Sequence, residues 1–152
     1  MINIPYHKQK TEWTCGPASM RMVLDSLGIK KSEKELIKLL DTNEIQGTLH
    51  KSFPELAEKF NLNYIVGRKN STLEQLDNLQ EQDYRIIVSY FIPEDNFHHY
   101  AVLKEVDPKK IHLLDPWFGE NTEYSIDNFN RNWHDLLEKY DKDKKWFFGI
   151  KK

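Results

Sequence analysis

The chain has 152 residues, of which 30% are charged and 39% hydrophobic, and a net charge of −2 at pH 7. That is the size and balance of one globular domain over residues 1–152, able to bury a core without disulfides or structural metals. No basic excess favours nucleic acid, and no apolar run approaches the ~18 residues that span a bilayer.

The N-terminus "MINIPYHKQK" lacks the basic-then-apolar pattern of a secretory signal, so a cytoplasmic location is expected. Met20, Val23, Leu24 and Leu27 recur at helical spacing in a helix that begins at Cys15, with Pro17 in the first turn and Gly28 at the exit. Ser32 and Glu35 form a capping box ahead of Leu36, Ile37, Leu39 and Leu40. Ser52 and Glu55 repeat that logic ahead of Leu56, Ala57 and Phe60, and this third helix ends near Asn61. The period then changes. Asn63 to Val66 is a short strand, Ser71 to Leu79 a capped helix, and Arg85 to Phe91 a strand apolar on both faces. "YAVLKEV" and "IHLLD" are joined by the turn "DPKK", which predicts an antiparallel hairpin. Helical spacing runs from Ser125 to Tyr140 through Phe129, Trp133, Leu136 and Leu137, "KYDKDKK" is a solvated turn, and "KWFFGI" is a last strand. Helices first and mostly antiparallel strands afterwards predict an α+β domain in two lobes.

The chemistry centres on "KQKTEWTCGPASM", which holds the only cysteine. A single cysteine forms no internal disulfide and no thiolate-rich zinc site. At a helix N-terminus, however, the thiolate is favoured by open backbone N–H groups and the helix dipole. Gly16 permits close approach, the Cys15 N–H can meet a developing oxyanion, and the Gln9 side-chain amide can supply a second donor. A thiolate of this kind needs a base that also protonates the leaving group. His99 opens the run "HYAVL" at a rim position facing away from the core, and Asp115 closes the next strand before Pro116. If the hairpin pairs these strands, Asp115 can hold the His99 imidazole in the tautomer that accepts from sulfur. Trp117 either covers that hydrogen bond or is a core aromatic. Glu94 and Asp95 belong to a polar loop near the site. His50, His98, His99 and His112 have no carboxylate or cysteine at a recognised ligand spacing, so no metal is expected.

Glutamine, then Cys-Gly-Pro-Ala opening a helix, then His-Tyr-Ala-Val-Leu, then Asp-Pro closing a strand: in this order, over residues 9 to 116, the chain resembles the papain-like cysteine peptidases that process bacteriocins at double-glycine leaders. The resemblance implies a papain-like fold, a helical lobe carrying the cysteine packed on an antiparallel sheet carrying the histidine and aspartate. It implies Cys15 as nucleophile, His99 as general base and acid, Asp115 as orienting residue, Gln9 as oxyanion-hole donor, and no cofactor. Family members often have glycine where this chain has His98. The aromatic-then-aliphatic run directly after His99 selects it, with His98 as the alternative register. Ending at Lys152, the chain resembles the stand-alone members. The expected partner is a peptide or protein with small residues before the scissile bond. Alternatives are an acyltransferase or transpeptidase with the same triad, or an inactive peptide-binding member of the fold.

Overall fold

The computed structural model describes residues 2–134 and 144–152. Helix α1 spans Cys15–Ser26, α2 Glu33–Leu39, α3 Ser52–Lys59, α4 Leu73–Glu81 and α5 Ile126–Asn132. The strands are β1 Asn63–Gly67, β2 Arg85–Ile92, β3 Phe97–Val106, β4 Lys110–Asp115, β5 Gly119–Ser125 and β6 Phe147–Lys151. They form one antiparallel sheet in the order β1-β6-β2-β3-β4-β5. The C-terminal strand is thus inserted between β1 and β2. Among the described residues no helix is long and apolar enough to cross a membrane.

The helix ends follow from local chemistry. Gly28, at φ 82°, closes α1 as its N–H and that of Ile29 return to the carbonyls of Asp25 and Leu24, a turn that glycine enters without a side-chain clash. Ser32 and Glu35 make the reciprocal cap of α2. The cap expected at Ser52 is not made: Ser52 lies inside α3, behind Lys51, and no side chain caps that helix. The N–H groups of Ser52 and Phe53 already reach the carbonyls of Leu49 and His50, so the first donors need no serine oxygen. In the hairpin, Asp107 Oδ1 accepts from the N–H groups of Lys109 and Lys110 at 2.8 Å, and Val102 stands opposite Leu114.

Each face of the sheet carries its own core. On one face α1, α2 and α3 contribute Met20, Leu24, Leu36 and Phe53, which pack with Tyr100, Val102 and Phe148 of the strands. On the other, α4 and α5 contribute Leu76 and Phe129, against Val88, Tyr90, Leu103 and Phe147. The helical lobe therefore packs on the sheet as expected, while α4 and α5 cover its second face. The helix expected to run to Tyr140 stops at Asn132. Trp133 has left the helical conformation and is buried, its indole N–H donating to the carbonyl of Trp146 at 2.9 Å. The remainder of that expectation, Leu136 to Tyr140, and most of "KYDKDKK" lie outside the described residues. Strand β5, "GENTEYS", is an edge strand with almost no apolar signature to announce it.

Gly16 sets the start of α1 against the loop that precedes α3. A methyl group there would fall 2.2 Å from Thr48 Oγ1 and 2.6 Å from its Cβ. The close neighbour is thus a side chain, itself tied by a buried 2.7 Å hydrogen bond to Thr42. Gly16→Ala is expected to destabilise the fold by about 1–3 kcal/mol, the usual cost of forcing extra volume into a packed site. Urea unfolding of the variant and parent is the check, and an unchanged midpoint would show that Thr48 yields freely.

Candidate active site

Three segments remote in sequence deliver the expected residues to one place. Cys15 is the first residue of α1 and is partly accessible. Its cap residue, Thr14, makes no side-chain bond to the helix, and the Thr14 hydroxyl bonds to Thr11 instead. With no cap, and with Pro17 lacking an N–H, the first turn keeps open donors beside the sulfur.

His99 lies within β3, two residues inside the strand rather than at its opening. The expected rim position is corrected too: His99 is only 2% exposed. Its Nε2 donates to Asp115 Oδ1 at 2.7 Å, and the Cys15 sulfur lies near enough to act on the charge of the ring. With Nε2 given to the carboxylate, Nδ1 is the ring nitrogen left for sulfur. Burial opposes positive charge on this imidazole. The Cys15 sulfur and the Asp115 carboxylate outweigh burial and raise the His99 pKa well above the ordinary 6.5.

Successive strand residues point to opposite faces, which separates the two adjacent histidines. His98 stands opposite Phe91 and packs its ring edge-on to His50 and Tyr100, at 6.3 and 6.1 Å between centroids. His99 stands opposite Tyr90, with Phe97 and Phe118 also edge-on to its ring.

Asp115, at the end of β4, is fully buried. Oδ1 accepts from His99 and from the N–H groups of Trp117 and Phe118, both at 2.9 Å. Oδ2 accepts from the Tyr90 hydroxyl at 2.5 Å. Burial pushes this carboxyl up, but the His99 hydrogen bond and charge, the Phe118 N–H and the Tyr90 hydroxyl hold it below the usual value. The same environment pushes the Tyr90 phenol well above 10, through burial first and then the charge of Asp115. Tyr90 therefore stays a donor. Sequence reasoning missed it, having counted Tyr90 among the apolar residues of β2. Its place opposite His99 in the β2–β3 pairing was the available signal.

Gln9 is 5% exposed and lies against the same turn, its backbone N–H donating to the Pro116 carbonyl at 2.9 Å. The side-chain Nε2 donates to the Thr11 carbonyl at 2.7 Å, while Oε1 accepts from no donor among the described residues. Trp117 is 41% exposed and so is not a core residue. It lines a cleft of about 580 Å³ together with Gln9, Trp13, Phe97 and His99. Among the described residues no group of three or more His, Cys, Asp or Glu side chains is arranged to hold a metal ion.

The Peptidase C39 family profile matches residues 3–144. The chain belongs to the Peptidase C39 family. A protein of Methanothermobacter thermautotrophicus is 27% identical over 115 residues, covering 75% of this chain and 72% of that one. The peptidase domain of Streptococcus ComA, a bifunctional ABC transporter involved in a quorum-sensing pathway, superposes with a TM-score of 0.72 at 21% identity, over 99% of this chain and 97% of that domain. A double-glycine motif protease from an AMS/PCAT transporter, in complex with its leader peptide, also gives 0.72, at 17% identity, over 99% of this chain and 94% of that one. This C39 chain has the papain-like fold of those peptidase domains, a helical lobe on an antiparallel sheet.

Tyr90→Phe keeps the ring and deletes one donor to a buried carboxylate. An unsatisfied buried acceptor costs about 1–3 kcal/mol, so the variant is expected to unfold at lower urea concentration by that amount. No loss of stability would mean that water replaces the phenol.

Proposed function

We propose that the chain is a cysteine peptidase in which Cys15 is the nucleophile, His99 the general base and acid, Asp115 the orienting residue and Gln9 an oxyanion-hole donor. The observation that carries this reading is the placing of His99, hydrogen-bonded to Asp115 at 2.7 Å and close enough to the Cys15 sulfur for it to raise the pKa of the ring. Membership of the Peptidase C39 family supports it independently.

In the reaction, with the proton of the Cys15 thiol taken up by His99, Sγ attacks the carbonyl carbon of the scissile amide. The oxygen takes up negative charge and meets the Cys15 N–H and the second hydrogen of Gln9 Nε2, the first being held by Thr11. His99 passes its proton to the nitrogen as the C–N bond breaks, the amine departs, and a thioester remains on Cys15. Water then attacks the thioester carbonyl while His99 takes one of its protons. The C–S bond breaks, the sulfur leaves as thiolate beside the newly protonated imidazole, and the acid product is released. Asp115 keeps the ring aimed throughout and stabilises its charge. Sulfur, imidazole and carboxylate supply this chemistry without a cofactor.

The substrate is a peptide or protein with small residues before the cut, an assignment supported by the likeness to a double-glycine motif protease that holds its leader peptide. A free thiol is kept in the reduced state by the cytoplasm, where we place the enzyme.

Cys15→Ala should abolish cleavage of a fluorogenic small-residue peptide, and His99→Ala should slow it by about 10²–10⁴. His98→Ala should do neither. Circular dichroism checks that each variant is folded. Retained turnover in Cys15→Ala, or the larger loss in His98→Ala, would contradict the assignment.

A further inference from the structure

The cleft beside His99 has a consistent chemical character. Three carboxylates line it from three separate segments: Glu12 ahead of α1, Glu44 in the turn between α2 and α3, and Asp95 in the β2–β3 turn. All three side chains are exposed, and none makes an ion pair among the described residues. Among the described residues no lysine or arginine lines the cleft. The histidine of the cleft, His99, is already paired with the Asp115 carboxylate.

Two further features point the same way. Trp13, Phe97 and Trp117 line the cleft with aromatic rings, whose faces attract cations. Gln9, also lining it, is only 5% exposed, and its Oε1 has no donor among the described residues. A buried acceptor without a partner is costly, and a ligand that brings an N–H group removes that cost. Carboxylates, ring faces and an open acceptor all select a nitrogen cation.

We infer that this cleft binds a lysine or arginine side chain of the peptide substrate close to the scissile bond. The inference rests on the peptidase reading, because the cleft is contiguous with His99. It adds a specificity that small residues before the cut do not provide: charge recognition at an exposed site, which favours the cationic peptide chiefly through long-range attraction and capture.

The test uses quenched fluorogenic peptides that share one small-residue core. Each flanking position in turn carries lysine, its neutral counterpart norleucine, or glutamate. At one position or more, kcat/KM is expected to follow lysine over norleucine over glutamate, with lysine ahead of norleucine by roughly three- to tenfold, as exposed charge pairs allow. The ratio should shrink in about 0.5 M salt, where exposed charges are screened. It should fall towards one in Glu12→Gln, Glu44→Gln and Asp95→Asn combined. The same peptides are also titrated against Cys15→Ala by fluorescence anisotropy, which reads the cleft without turnover. Equal binding and equal cleavage of the three peptides at every position would overturn the inference, as would a lysine preference that survives the triple substitution. Cleavage without charge preference sinks only the inference. Charge-selective binding by Cys15→Ala, with no cleavage by the parent chain, sinks the peptidase reading and leaves the cationic site standing.

Discussion

A carboxylate with no exposed surface has to be met by donors on every side, and that constraint at Asp115 organises the region around it. Leaving such a charge unpaired costs several kcal/mol, far more than any one contact returns. Four donors meet it: His99, Tyr90, and the N–H groups of Trp117 and Phe118. The backbone turn after β4 therefore has to fold back on its own aspartate. The phenol of Tyr90 has to come from the far side of β3, reaching Asp115 past the strand that carries His99. The N-terminal segment is bound to the same corner, with the Tyr6 hydroxyl donating to the Asp115 carbonyl at 2.7 Å and the Gln9 N–H to the Pro116 carbonyl. Asp115 thereby fixes both His99 and the segment that leads to Cys15.

The helical lobe supplies the sulfur by a different route. Helix α1 is anchored by Met20, Val23 and Leu24 in the core and by Gly16 against Thr48. Its N-terminus is left without a side-chain cap, and the sulfur stays partly accessible while His99 and Asp115 do not. A buried imidazole–carboxylate pair beside an accessible sulfur is the arrangement that the proposed acyl transfer requires. The imidazole and carboxylate are shielded from competing water, which strengthens their interaction, yet a substrate can still approach.

Much of this was legible in the sequence because local signals and the tertiary fold agree. The Ser32–Glu35 cap, the Gly28 exit, the Asp107–Lys110 turn and the apolar run of β2 are each decided by neighbouring residues, and each occurs where it was expected. What failed was decided at a distance. Ser52 has cap chemistry, but the turn before it already supplies the bonds. Trp133 fits a helical period, yet the Trp146 carbonyl draws it out. The edge strand β5 takes its conformation from pairing with β4, its own residues being mostly polar. At the site, residue types and order pointed to Cys15, His99, Asp115 and Gln9, which the fold brings to one corner. The burial of His99 and the part played by Tyr90 depend on which face of the sheet each residue occupies, and the exposure of Trp117 on how the turn after β4 folds back on Asp115; no local pattern encodes either.

The central claim is a matter of charge: His99, set between the Asp115 carboxylate and the Cys15 sulfur, holds its proton at neutral pH. Nitrogen NMR of the chain labelled with ¹⁵N-histidine, followed through a pH titration with His99→Gln to assign the resonances, tests it most directly. Both ring nitrogens of His99 should carry the imidazolium signature at pH 7 and lose it only well above the ordinary 6.5, because the sulfur and the carboxylate raise its pKa. A His99 ring that is neutral at pH 7, titrating at or below 6.5, would contradict the account.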